Sequence, residues 1–118
     1  MTITIYGIKN CDTMKKARAW LEGHGVEYAF HDYKAAGIDR GHLEKWVKKT
    51  GWETLLNRAG TTFRKLPDAG KADLNEQNAI ALMLEYPSAI KRPVLEIGGG
   101  KILVGFKPEA YENAGLGG

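Results

Sequence analysis

The sequence predicts an α/β fold laid out as β-α-β, a helical insertion and β-β-α. Three observations carry that reading. Ile3 and Ile5 alternate with β-branched threonines directly ahead of apolar residues at helical spacing. The middle of the chain holds two further helical patterns without a strand between them. Near the end, the apolar runs Val94–Ile97 and Ile102–Val104 are joined by Gly98-Gly99-Gly100, a hairpin pattern, and Pro108 follows at a position suited to opening a helix.

Taken in order, the first strand covers Ile3 to Ile5 and ends at Gly7. A loop carries Cys11. The first helix starts at Asp12 or Thr13, with Thr13 as a cap, Met14, Ala17, Trp20 and Leu21 as the apolar face, and Gly23 and Gly25 as the stop. Val26, Tyr28 and Phe30 alternate as a second strand that ends near Asp32, so a right-handed crossover makes the first strand pair parallel. Asp39 caps a helix with Leu43, Trp46 and Val47 on one face and Gly51 at its end, and Trp52 to Arg58 adds a short turn. Gly60 to Gly70 has turn residues and no period. A helix from Asn75 to Tyr86 buries Ala79, Ile80, Met83 and Leu84, and Pro87 closes it. This order matches a thioredoxin-like sandwich around a mixed four-stranded sheet, with a helical insertion at about 38–88.

The 118 residues suit a single domain, 1–118, that hides about 65% of the surface its unfolded chain exposes. With 43% hydrophobic and 26% charged residues the chain has the composition of a globular protein, and neither disorder nor a disulfide-stapled miniature fold fits it. A formal charge of +3, with no basic run longer than a pair, argues against nucleic acid as a partner. No apolar run approaches membrane-spanning length and the N-terminus lacks the pattern of a signal peptide, so the expected location is the cytoplasm, where thiols stay reduced. Cys11 is the only cysteine, which forbids an internal disulfide and a multi-cysteine metal site.

A cysteine at the mouth of a helix has a physical reason to react. Unpaired N–H groups and the positive end of the dipole favour thiolate over thiol, and Lys9, Lys15 and Lys16 add charge of the same sign. Asp12 opposes them unless its carboxylate points to solvent or caps the helix. The other reading of a lone cysteine is a small apolar residue filling core space. His24, His31 and His42 lack zinc-type spacing and read as surface or strand-edge residues. Gly98-Gly99-Gly100 opens no helix and reads as a turn, not a phosphate cradle. Trp20, Trp46 and Trp52 read as core, and Ser88 as a loop residue.

The segment Tyr6-Gly7-Ile8-Lys9-Asn10-Cys11-Asp12-Thr13-Met14-Lys15-Lys16-Ala17 resembles the active-site segment of the ArsC/Spx family of thioredoxin-like proteins. Gly51 to Arg58, Thr61 to Leu66, Ile90 to Val94 and Val104 to Glu109 follow in the family's order, so the resemblance spans nearly the whole chain and is greatest to the YffB-type branch. It implies Cys11 as a nucleophile and Arg64 and Arg92 as two of three oxyanion-binding arginines. The third is replaced by Lys107, which keeps the charge but lacks the planar fork that matches a tetrahedral oxyanion. Arsenate is therefore in doubt as the substrate, and a disulfide or mixed disulfide fits better.

The resemblance further implies a cis peptide at Pro93, which could equally be a proline opening a strand. Beside it, the backbone N–H and C=O of Arg92 would pair with the cysteinyl part of glutathione, with Lys9, Arg64 or Arg92 near the carboxylates. Met14 stands where other members carry the second cysteine of a C-x-x-C switch. The expected activity is a monothiol reductase without a metal or bound cofactor, in which glutathione or a glutaredoxin completes the cycle. The alternatives are a non-catalytic, Spx-like regulator that binds RNA polymerase, and a genuine arsenate reductase.

Overall fold

The computed structural model describes residues 2–67, 74–98 and 100–116. Gly99, and Asp68 to Gly70 of the turn segment, lie outside the described residues. The chain forms two compact units, one of Met1–Ala36 with Arg92–Gly118, the other of Gly37–Lys91.

The first unit contains the sheet. Strand β1 (Ile3–Gly7) pairs parallel with β2 (Ala29–Asp32) and antiparallel with β3 (Val94–Ile97), which pairs antiparallel with β4 (Lys101–Val104), giving the order β2-β1-β3-β4. This is the thioredoxin-like arrangement that the element order implies. Register is set by Ile5 opposite both Phe30 and Leu95, and by Tyr6 opposite His31 and Val94. A slip of one residue would turn the apolar set to the wrong face. Gly98 and Gly100 adopt φ of 52° and 144° at the β3–β4 turn, and the Gly98 N–H extends the ladder to the Thr2 carbonyl at 2.7 Å.

Helix α1 (Asp12–Gly23) lays Met14, Ala17 and Leu21 on one face of the sheet, against Ile3, Ile5, Leu95 and Ile97. The same cluster takes in Tyr111 from the last helix and Leu116 beyond it. Trp20 and Phe106 meet the Tyr111 ring edge to face, at 5.4 and 5.0 Å between centroids, contacts worth about 0.5–1.5 kcal/mol each beyond simple burial. Trp20 itself is only half-buried and stacks on His24, contrary to its expected core position, because the stripe of α1 turns it toward the rim. Strand β2 starts at Ala29, so Val26 and Tyr28 belong to the approach to the strand.

Helix α2 (Tyr33–Ala36) follows β2 directly. The second unit holds α3 (Arg40–Thr50), α4 (Trp52–Leu55), α5 (Thr61–Arg64), α6 (Glu76–Glu85) and a 3₁₀ turn at Pro87–Ala89. Asp39 caps α3 by accepting the His42 N–H at 2.7 Å, and Asn75 caps α6 by accepting the Asn78 N–H at 2.8 Å. Each cap contributes about 1 kcal/mol. Leu43, Trp46 and Val47 are buried on α3, with Ala79, Ile80 and Met83 on α6. Leu56 bridges Ile90, flanked by bonds from Asn57 N–H to Ala89 (2.8 Å) and Lys91 N–H to Leu55 (2.7 Å), which tie the middle of the unit to its end. Helix α5 interrupts a segment without apolar period, since a single turn is too short to show one. Trp52 is half-buried beneath the Arg58 guanidinium rather than in the core. The final helix, α7 (Pro108–Asn113), returns to the first unit with proline in its first turn.

Gly7 is buried where β1 ends, and a β-carbon there would overlap the Met14 thioether sulfur. Met14 is fully enclosed. Gly7→Ala is expected to destabilise the protein by about 1–3 kcal/mol, the range for overpacking a filled core, read as a lower urea midpoint at unchanged slope.

Candidate functional site

The geometry starts from the carboxyl end of β1. The chain leaves Gly7, passes exposed Lys9 and Asn10, and enters α1 at Cys11. Cys11 is itself the N-cap, with extended backbone (φ −127°, ψ 127°) and a carbonyl that accepts the Lys15 N–H at 2.9 Å. Thr13, expected as the cap, lies inside the first turn because the helix starts at Asp12. The Cys11 side chain makes no capping bond and is half-buried against the core cluster. Asp12 is exposed.

Strand β3 runs antiparallel to β1, so its start lies at this same end. There the Arg92–Pro93 peptide is cis, Pro93 is buried, and its carbonyl accepts the Gly105 N–H at 2.8 Å. Arg92 is half-buried and, among the described residues, forms no ion pair or side-chain hydrogen bond. Strand β4 runs antiparallel to β3, so it finishes at this end too and delivers Lys107 as the exposed N-cap of α7. Lys9, Cys11, Arg92, Pro93 and Lys107 thus share one end of one sheet. Arg64 belongs to the other unit, exposed in the last turn of α5.

Two buried phenols stand out. Tyr33 and Tyr111 both enclose a hydroxyl with no hydrogen-bond partner. Burial pushes the Tyr33 phenol up, the Tyr6 phenol adds to the rise, and the Arg92 guanidinium opposes it; burial alone raises Tyr111. Tyr33 escaped the sequence reading because an aromatic after a strand reads as core. Its only signal was its place directly after Asp32, at the end of β2. His31 lies between the Tyr6 ring (4.9 Å) and the Tyr33 ring (6.0 Å). Among the described residues no group of three or more His, Cys, Asp or Glu could hold a metal ion, and no helix is long and apolar enough to cross a membrane.

Residues 6–114 match the ArsC family. The chain belongs to that family. A solved structure described as YffB is 67% identical, with a TM-score of 0.93 over 96% of this chain and 98% of that one. An arsenate reductase (ArsC) related protein from Brucella melitensis is 59% identical, with a TM-score of 0.77 over 96% of this chain and 93% of that one. The global transcriptional regulator Spx of Streptococcus mutans is 28% identical over 109 residues, 91% of this chain and 78% of the regulator. This ArsC-family chain is therefore related both to reductase-like proteins and to regulators.

Both buried phenols bear on stability. The unfolded chain releases these protons near pH 10, whereas the folded protein keeps them, so the unfolded state binds fewer protons above that pH and stability falls as pH rises. Urea unfolding at pH 8 and pH 11 is expected to show a loss of about 1.4 kcal/mol per phenol. Tyr111→Phe should remove its share of that loss.

Proposed function

We propose that the chain is a monothiol reductase with Cys11 as its nucleophile. The observation that carries this reading is that Cys11, at the N-cap of α1, leaves the same sheet end as Lys9, Arg92 and Lys107. The free N–H groups of the first turn and the cations at this end of the sheet are placed to hold an anionic substrate. Kinship with an arsenate reductase-related protein supports thiol chemistry of this kind.

In the proposed cycle the Cys11 thiolate attacks one sulfur of a disulfide. A mixed disulfide with Cys11 forms, and the other sulfur leaves as a thiolate that takes a proton from water. No second cysteine exists to displace the adduct, so an external thiolate, from glutathione or a glutaredoxin, attacks the mixed disulfide and releases Cys11. The two electrons come from that thiol. Glutathione is the proposed cosubstrate, its cysteinyl backbone pairing with Arg92 beside Pro93 and its carboxylates near Lys9 or Arg92. Such a cycle suits a reducing compartment, the cytoplasm.

Kinship with the Spx regulator supports a second reading, in which the fold docks on a partner such as RNA polymerase without thiol chemistry. Intact-mass analysis after incubation with oxidised glutathione separates the two. An adduct on the native chain and none on Cys11→Ser is expected, and its absence from both favours docking. Lys107 sets the substrate question. If the missing bidentate fork limits oxyanion binding, Lys107→Arg should raise arsenate reduction about tenfold in an assay coupled to glutathione and glutaredoxin, the step expected for one charge-assisted bond of about 1.5 kcal/mol. An unchanged rate would show that arsenate is excluded for another reason.

A further inference from the structure

Arg18 stands on α1 with its side chain held in place but with no carboxylate to meet it. Its Nε–H donates to the Tyr28 hydroxyl at 3.1 Å, and the guanidinium lies over the Phe30 ring, 4.7 Å from the centroid. All three residues are half-buried, and Tyr28 and Phe30 pack against the α1 cluster. Glu22, one turn further along α1, and Glu27, beside Tyr28, are exposed, and among the described residues neither forms an ion pair with Arg18. An arginine oriented in this way has already lost much of its rotamer freedom, so binding a ligand to it costs less.

The donors that remain point to one kind of ligand. A guanidinium donates and accepts nothing. With Nε–H taken by Tyr28, the terminal nitrogens are left over. The Tyr28 oxygen accepts from Arg18, and its own O–H donates to no described group. A carboxylate can receive both kinds of donor. The surroundings favour a carboxylate carried by a protein, since an arginine beside two aromatic rings is the composition of an interface anchor. Strand β2 lies at the edge of the sheet, so no further strand of the sheet covers the flank of Phe30. Position then ties this anchor to Cys11. Cys11, Lys15 and Arg18 follow one stripe of α1, at spacings of four and three residues. The rise from Cys11 to Arg18 is about 10 Å, the reach of about three residues of extended chain.

We propose that Arg18 and Tyr28 anchor an acidic side chain of a partner protein whose disulfide Cys11 attacks, with the acidic residue about three positions from the reacting cysteine in an extended segment. The proposal rests on the monothiol reading and gives its substrate a class, an acidic protein disulfide. In the step itself the Cys11 thiolate forms a bond to the partner's sulfur, and the other sulfur of the broken disulfide leaves as a thiolate that takes a proton from water. The anchor is separate from the cations at the sheet end: it lies on the β2 side of β1, whereas Arg92 and Lys107 arrive with β3 and β4.

The probes are acetylated, amidated Cys-Ala-Ala-Glu and Cys-Ala-Ala-Gln, each activated as its 2-pyridyl disulfide. Attack by Cys11 joins the peptide to the protein and releases 2-thiopyridone, which is read by absorbance. The native chain is expected to react about fivefold faster with the glutamate peptide, the effect of one charge-assisted hydrogen bond at a partly exposed site. In Arg18→Met, which keeps an apolar stem over Phe30, that preference should vanish while the rate with uncharged bis(2-hydroxyethyl) disulfide stays within twofold. Tyr28→Phe should halve the preference. Moving the glutamate next to the cysteine should remove most of it, because the carboxylate then falls short of Arg18. A native preference under twofold overturns the proposal. So does a preference that Arg18→Met leaves intact or that ignores the place of the glutamate, which would mark general attraction by the cations near Cys11. Equal slowing of every disulfide in Arg18→Met, with a lowered thermal midpoint, would mark a packing role and overturns it as well. If the native chain reacts with no disulfide, the monothiol reading fails, and the anchor is decided separately in Cys11→Ser. There the NMR signal of the Arg18 Nε–H should shift on adding Ser-Ala-Ala-Glu and not Ser-Ala-Ala-Gln, and the lack of a selective shift overturns the anchor.

Discussion

Strand β1 is paired on both sides, parallel to β2 and antiparallel to β3, and the rest of the candidate site depends on that double pairing. Each ladder fixes which neighbour ends or begins at Gly7. The parallel partner must finish there and the antiparallel partner must start there. One strand thus gathers the loop before α1, the turn into α2 and the Arg92–Pro93 segment at a single edge. The pairing tolerates no slip, because Ile3 and Ile5 on one face and Tyr6 on the other are all buried.

Cys11 takes its chemical character from this arrangement and from what is missing around it. As an N-cap it does not satisfy the first-turn N–H groups with its own side chain, so those donors stay available to a thiolate or to a ligand. Met14 occupies the position three residues on, fully enclosed and seated on Gly7. Met14 thus fills with an apolar side chain the first-turn position where a second thiol would stand.

Much of this was legible in the chain. Periodicity from Met14 to Leu21, the cap Asp39, the helix placed from Asn75, and the glycine-joined runs after Pro93 each mark an element through local chemistry, and local chemistry is what a sequence displays. The departures are also local. Thr13 has a side chain suited to capping, yet the helix starts one residue earlier. Trp20 and Trp52 sit at positions with helical period, but the stripe they belong to passes the rim. Helix α5 is a single turn and has too few residues to reveal a period.

Composition and spacing by themselves determined that the chain is a one-cysteine α/β protein whose thiol stands before a helix, because those properties need only neighbours in sequence. The meeting of Lys9, Cys11, Arg92 and Lys107 was decided by strand order and direction. A linear pattern can show that a residue ends a strand. Only the sheet determines which other strands begin or end beside it, since hydrogen bonds between distant segments set that register.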